Sequence, residues 1–533
     1  ANIVPPPQYI KKTFMNQTTP KGHPKGLYIL FATEMWERFN YYGMRAILLY
    51  FMTQALLLKL DFASNLYGSY ISLLYLTPLV GGYVADRYWG NKRSILVGGL
   101  VMVAGELILF VCASIYNSSP GLANILFFSG LGFMVAGNGF FKANISSLVG
   151  QLYPKGDLRV DPAYTIFYMG INLGATIGPI LCGTFGNTGN PADFKWAFLI
   201  AGAGMIISII IQKIYHDKYV RSPEGKILGT TPGTDVPSAD DPAVPASSIV
   251  KAPPKIWLNP AFIIIGMLAF AAFMIGVIYL DTRINYLFYL IAASFIFIIF
   301  LILSDKSLNK EERQRVWVMV IIAFFVVFFW GAYEQTGASL AVFAERQTNL
   351  NLWGNYNMPP SYFQSFNSAY IIIFAPIFAW IWLKMGKNQP ATPTKMGIGL
   401  ILLALGYLWI AYGVQTAETK KASIIWLAGL YLLHTWGELC LSPIGLSLFN
   451  KLSPLKFASL LMAVWFLGNA GGNKLAGVLS ALYPEGGKTT NFLGYQMNNL
   501  YDFFILFVFM GGIAGIILLL LSKKLQKMMH GIT

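Results

Sequence analysis

Charged residues are scarce in this 533-residue sequence: Asp, Glu, Lys and Arg together make up 11%, where soluble globular chains carry about a quarter. That scarcity excludes a mostly soluble enzyme of several domains, and the disordered, collagen-like and disulfide-scaffold classes with it. Cysteine occurs three times, as Cys112, Cys182 and Cys440 in apolar stretches, so neither a disulfide framework nor a zinc site is expected. No group of residues has metal-ligand spacing, and no cofactor is expected. Acid is scarcer than base, 23 residues against 38, leaving a net charge of +15. On a soluble chain such an excess points to nucleic acid. Here no nucleic-acid partner is expected, and the question is where along a membrane the positive charges sit. No cleavable signal peptide is expected, because the first apolar segment is too long and already holds Glu34, Glu37 and Arg38.

What the chain has in abundance is apolar surface: 56% of its residues are hydrophobic and 15% aromatic. A bilayer core about 30 Å thick needs roughly 20 helical residues per crossing. On that template the sequence divides into fourteen spans, near 27–58, 66–86, 94–116, 121–151, 163–186, 194–215, 258–280, 284–304, 313–343, 361–384, 394–414, 422–449, 457–483 and 499–522. The expected fold class is an all-α polytopic membrane protein. Its parts are a cytoplasmic N-terminal segment (1–26), a six-helix bundle (27–215), a cytoplasmic linker rich in Pro, Ser and Asp (216–257), two extra transmembrane helices (258–304) and a second six-helix bundle (313–526). With the N-terminus inside and the loops alternating, 27 Lys and Arg fall in cytoplasmic segments and 7 outside. Shifting the topology by one span inverts that ratio, so the positive-inside rule puts both termini in the cytoplasm. Two six-span halves are the layout of transporters of the major facilitator type, whose cargo site lies between the halves near the midplane. The extra pair, poor in polar residues, is expected to face lipid outside the transport chemistry.

A charge at mid-bilayer is costly, so ionisable residues within spans are candidates for function. In the first span Glu34, Glu37, Arg38, Tyr41, Tyr42 and Arg45 fall within an arc of about 140° at 100° per residue, and the stripe rises about 16 Å. Internal ion pairing alone does not call for two tyrosines on that face. Lys142 sits in mid-span. Tyr168 and Asn172 are four apart and share a helix face, as do Trp330 and Glu334, and Glu438 and Ser442. Asn367 interrupts an apolar run. Opposite charges from both halves are near balance, as a cavity between halves requires. Glu106 stands alone in its span as a candidate structural acid. Lys474 is expected at one end of its helix, and His434 in a hydrogen-bonded structural role. Gly487-Lys488-Thr489 lacks the glycine that a phosphate loop needs five residues earlier, where Leu482 stands.

Glu34-x-x-Glu37-Arg38-Phe39-x-Tyr41-Tyr42 and Phe167-Tyr168-Met169-Gly170-Ile171-Asn172-Leu173-Gly174 resemble the first-helix and fifth-helix motifs of the proton-dependent oligopeptide transporter family of the major facilitator superfamily. The segment Gly81-Gly82-Tyr83-Val84-Ala85-Asp86-Arg87-Tyr88-Trp89-Gly90 is similar to the superfamily's loop between the second and third helices. The resemblance covers about residues 25–525, and the extra pair of spans is similar to that of bacterial members. It implies symport of di- and tripeptides with protons across a bacterial inner membrane. By position it implies that Arg45 and Lys142 hold the peptide carboxylate, with Tyr42 and Tyr75 nearby. Asn172, Asn367, Glu438 and Ser442 then face the amino end, Trp330 and Trp465 form walls for side chains, and Tyr168 joins the substrate-binding set. Glu34, Glu37, Arg38, Lys142 and Glu334 become the proton-coupling set. The second-span histidine expected of mammalian members is missing, which puts protonation on carboxylates. Glu334 is expected to pair with Arg45 across the halves, and Glu37 to balance Lys142. The alternative cargo is nitrate or another small anion or metabolite on the same fold. A channel and a polytopic membrane enzyme fit less well, because opposite charges cluster in two halves and no nucleophile–base pair is visible.

Overall fold

The computed structural model describes residues 22–154, 156–233, 253–354, 356–416 and 421–531. Most of the expected N-terminal segment (1–21) and much of the linker (234–252) lie outside the described residues. Fourteen long helices account for the fold: α1 (Lys25–Tyr50), α2 (Leu60–Val84), α3 (Asn91–Ile115), α4 (Pro120–Gln151), α5 (Val160–Gly186), α6 (Phe194–Tyr219), α7 (Pro260–Ile284), α8 (Tyr286–Ser304), α9 (Lys310–Tyr333), α11 (Phe363–Met385), α12 (Thr392–Thr416), α13 (Ile424–Leu452), α14 (Ala458–Ser480) and α15 (Leu500–Met528), with the short α10 (Ser339–Arg346) after α9. Among the described residues, eleven helical stretches are long and apolar enough to cross a membrane on length and composition alone. The long helices outside that set are α1, α2 and α14. Their sequences give the reason: α1 carries the charged stripe, and α2 and α14 are rich in Gly, Ser and Asn. Polarity of that kind is tolerated where a helix faces protein or a cavity instead of lipid.

Helix starts follow from local chemistry. Asn309 caps α9 by accepting from the Glu312 amide, while the Glu312 side chain accepts from the Asn309 amide, a reciprocal capping box. Asn259 and Asn499 cap α7 and α15 in the same way from one side. α4 opens on Pro120, where a missing N–H costs nothing. The span expected over 313–343 is interrupted: α9 stops at Tyr333, a tight turn covers Glu334–Gly337, and Ala338 leaves helical geometry before α10 begins. Glu334 therefore sits at a break in the helix, not on a regular face.

In the first half α1 packs on α5 and α6, α3 on α4 and α6, and α2 on α4. In the second half α12 packs on α13 and α15, and α9 on α14 and α15. The halves meet where α2 lies on α14 and α5 on α11. The polar bonds joining them fall toward the side on which α1 ends. Tyr50 donates to Ala341 O (2.9 Å), Gln364 to Ala46 O (3.3 Å), Ser365 to Thr176 O (2.8 Å) and Ser72 to Ala470 O (2.9 Å). The Ser64 and Ser480 hydroxyls approach to 3.2 Å. At the α2–α14 crossing the backbones touch: a Cβ on Gly68 would stand 2.7 Å from Gly477 Cα. The described start of the linker is packed down, with His216 bonded to Leu228 O (2.9 Å) and the Lys92 amide to Gly229 O (2.9 Å).

Candidate functional site

Between the halves lies a cavity of about 210 Å³. Its wall is built by Tyr42 of α1, Tyr75 of α2, Tyr168, Ile171 and Asn172 of α5, Trp330 of α9, Asn367, Ser368 and Ile371 of α11, Glu438 and Ser442 of α13, and Trp465, Phe466 and Asn469 of α14. Seven helices from both halves therefore converge on one space. The helical spacings place these groups: Tyr168 and Asn172, Asn367 and Ile371, Glu438 and Ser442, and Trp465 and Asn469 are each four apart, so each pair presents one face.

The acidic side of the cavity is organised around Glu438. Its carboxylate accepts from the Tyr333 hydroxyl and from Asn367 Nδ2 at 3.0 Å, and Asn367 also donates to Thr435 Oγ1 at 3.0 Å. No cation pairs with Glu438 among the described residues. The indole N–H of Trp330 is buried without a hydrogen-bond partner there. Asn172 turns its amide donor back to Tyr168 O (2.9 Å), and both residues line the cavity.

The basic residues stand behind the tyrosines. The Lys142 ammonium lies 4.2 Å from the Tyr75 ring centroid, and the Arg45 guanidinium lies 5.9 Å from that of Tyr42. Arg45 forms a buried ion pair with Glu334 and donates from Nε to the Tyr67 hydroxyl at 2.6 Å. This pair ties α1 to the break after α9. The other charged group is internal to α1: Arg38 Nε reaches Glu34 Oε1 at 2.7 Å and Glu37 Oε2 at 2.8 Å, all three being buried. Glu37 also accepts from Asn138 Nδ2 (3.3 Å). No carboxylate among the described residues comes within ion-pair distance of Lys142: Glu37 makes its direct contacts with Arg38 and Asn138, and faces Lys142 only across a longer distance.

Of the residues singled out in the sequence, Tyr42, Tyr75, Tyr168, Asn172, Trp330, Asn367, Glu438, Ser442 and Trp465 line the cavity. Arg45, Lys142, Glu34, Glu37, Arg38 and Glu334 lie off its wall, paired or shielded as above. Sequence reasoning missed Ser368, Phe466 and Asn469 on the wall, and Tyr67, Tyr333 and Asn138 as partners of the charges. Asn469 was within reach, since it stands one turn after Trp465. Glu106, the lone acid, is buried and accepts from Asn40 Nδ2 at 2.7 Å. His434 is held between the Tyr407 and Tyr333 rings, at 4.8 and 6.1 Å between centroids. Lys474 is not at an exposed helix end: it is wholly buried and paired with Asp281 at 2.6 Å.

Two packed six-helix halves, two extra helices and a polar cavity between the halves define an integral membrane transporter of the major facilitator fold. The POT family profile matches residues 92–229 and 279–496, and the chain belongs to that family of transporters. It is 34% identical over 519 residues to the uncharacterised transporter YclF of Bacillus subtilis, covering 96% of each chain. It is 31% identical over 521 residues to a di-/tripeptide transporter of Lactococcus lactis subsp. cremoris, covering 95% of this chain and 97% of the relative. Among solved structures it is similar to a peptide transporter POT in complex with sulfate, at 32% identity and a TM-score of 0.78, covering 97% of this chain and 98% of that one. A POT family transporter in complex with 5-aminolevulinic acid matches at 29% identity and a TM-score of 0.77, covering 96% and 98%.

Proposed function

We propose that the protein is a proton-coupled symporter of di- and tripeptides in a bacterial inner membrane, with both termini in the cytoplasm, working by alternating access. The observation that carries this reading is the separation of charge across the cavity, with Arg45 and Lys142 behind one wall and the uncompensated Glu438 on the opposite one. A zwitterionic peptide needs a cation at one end and an anion at the other. Its carboxylate goes to Arg45 and Lys142, and its ammonium to Glu438 with the Asn172 and Asn367 oxygens. The Trp330 indole N–H remains as a donor for the peptide carbonyl. Termini and backbone supply affinity while Trp330, Trp465 and Phe466 tolerate varied side chains. A nitrate carrier gains nothing from Glu438, which disfavours the small-anion alternative.

Coupling runs through the buried ion pair between the halves. The side on which α1 ends is read as the outer side, closed here by Arg45–Glu334 and the cross-half bonds beside it. Protonating Glu334 removes its charge, releases Arg45 for the peptide carboxylate and loosens that closure. Glu34, Glu37 and Arg38 are the second set through which the proton passes. Counterflow of labelled dialanine in proteoliposomes tests the cargo: di- and tripeptides should compete, and nitrate and tetrapeptides should not. Competition by nitrate alone overturns the reading.

A further inference from the structure

The extra helices α7 and α8 are more than a lipid-facing addition. Lys474 of α14 has three ammonium protons and three acceptors around it: Asp281 Oδ2 at 2.6 Å, Ser69 Oγ at 2.8 Å and Asn285 Oδ1 at 3.0 Å. Asp281 lies in the last turn of α7, Asn285 at the α7–α8 turn and Ser69 on α2. Lys474, Asp281 and Ser69 are almost fully excluded from solvent. The acceptors are themselves fixed. Asp281 Oδ1 accepts from the Leu287 amide at 2.8 Å, its Oδ2 accepts from the Ser69 hydroxyl, and Asn285 is held with φ +50°. That left-handed geometry is one asparagine tolerates better than most residues.

This cluster sits beside the Gly68–Gly477 crossing, the seam at which the first half meets the second on the side on which α1 ends. The hairpin straddles that seam. α7 packs on α4 and α2, with Ile275 against Gly132, and Trp257 just before it stacks on Tyr88 at 4.0 Å. α8 packs on α14, with Ile291 over Gly471. A carrier that opens its cavity on this side must part α2 from α14 and so withdraw Lys474 from Ser69. Because α7 is fastened to the first half, Lys474 also leaves Asp281. Two buried charges then lose their partners at once, which a buried ion pair resists far more than a surface one does.

We infer that Asp281 and Lys474 are positioning residues forming a latch, through which the extra hairpin holds the outer side closed and sets the balance between the two access states. The inference rests on the alternating-access reading above but not on the identity of the cargo. Ser480, buried at the same seam opposite Ser64, gives a readout free of cargo. With Ser480→Cys in proteoliposomes, a membrane-impermeant maleimide added outside reports how often the outer seam opens. Replacing the pair with apolar residues of similar size, Asp281→Leu with Lys474→Met, keeps the packing while removing the latch. Labelling should then accelerate at least fivefold, and the charge-swapped pair Asp281→Lys with Lys474→Asp should slow it again. Unchanged labelling in the apolar pair overturns the latch, even if peptide uptake is altered. Should the apolar pair fail to fold, Asp281→Asn, which keeps the shape of the side chain and removes its charge, supplies the second test. Labelling of Ser480→Cys should accelerate at least threefold in it, and labelling no faster than with Asp281 and Lys474 intact overturns the proposal. Absence of dialanine exchange in the chain with Asp281 and Lys474 intact overturns the peptide reading instead.

Discussion

Replacing Glu334 with Gln keeps the size of the side chain and removes the charge that holds Arg45. In the structure Arg45 then retains the Tyr67 hydroxyl and, at best, a neutral amide oxygen in a site from which water is excluded. Breaking a buried pair from one side costs about 3–5 kcal/mol. That cost loosens the outer closure permanently, as protonation does transiently in the wild type. The substitution also removes the group that carries the proton. One proton moving down 100 mV contributes about 2.3 kcal/mol, and one pH unit adds about 1.4 kcal/mol. Together these sustain a peptide gradient of roughly a few hundred-fold at one proton per peptide, since 1.4 kcal/mol is tenfold. Glu334→Gln should therefore bring accumulation of labelled dialanine in energised proteoliposomes down to the external concentration. Exchange of internal for external peptide should survive within about tenfold. Accumulation that persists in the variant and collapses with an uncoupler refutes Glu334 as the coupling acid.

Glu438→Gln should raise KM for free dialanine by roughly 10- to 100-fold, the worth of a charge-assisted hydrogen bond of about 1.5–3 kcal/mol, while leaving the weak binding of N-acetylated dialanine unchanged in competition assays. Lys142→Gln should do the reverse, weakening free dialanine while leaving C-amidated dialanine as it was. Gly477→Val places side-chain atoms where Ser64 O and Gly68 Cα already stand, at 2.7 and 2.8 Å from a Cβ. It should destabilise the fold by about 1–3 kcal/mol through overpacking, read as a lower melting temperature in detergent; an unchanged melting temperature contradicts the close crossing of α2 and α14.

The helical bundle was legible because apolar runs of membrane length leave little choice of fold. The i, i+4 spacing of Tyr168 with Asn172 and of Glu438 with Ser442 put each pair on one helix face, whereas their meeting with Tyr42 around one cavity was legible only through the resemblance to the family's motifs. Three features were not. The break at Glu334–Gly337 lies between two apolar stretches, and hydropathy registers the polar Glu-Gln-Thr there but not the change of backbone geometry. Lys142 and Glu37 looked complementary in a list of charges. Arg38, next to Glu37 in the same helix, makes the direct contact with that carboxylate, and the distances between helices that decide this are not written in the sequence. Asp281 fell one residue past the expected end of its span and so read as a loop acid. The partner that buries it, Lys474, lies almost two hundred residues away.

The central claim is that a peptide is driven uphill by protons. Labelled dialanine uptake into proteoliposomes, with and without an imposed inward proton gradient and membrane potential, tests it most directly. The account predicts accumulation above the external concentration that an uncoupler abolishes. Equilibration without accumulation, in liposomes shown to be proton-tight, contradicts it.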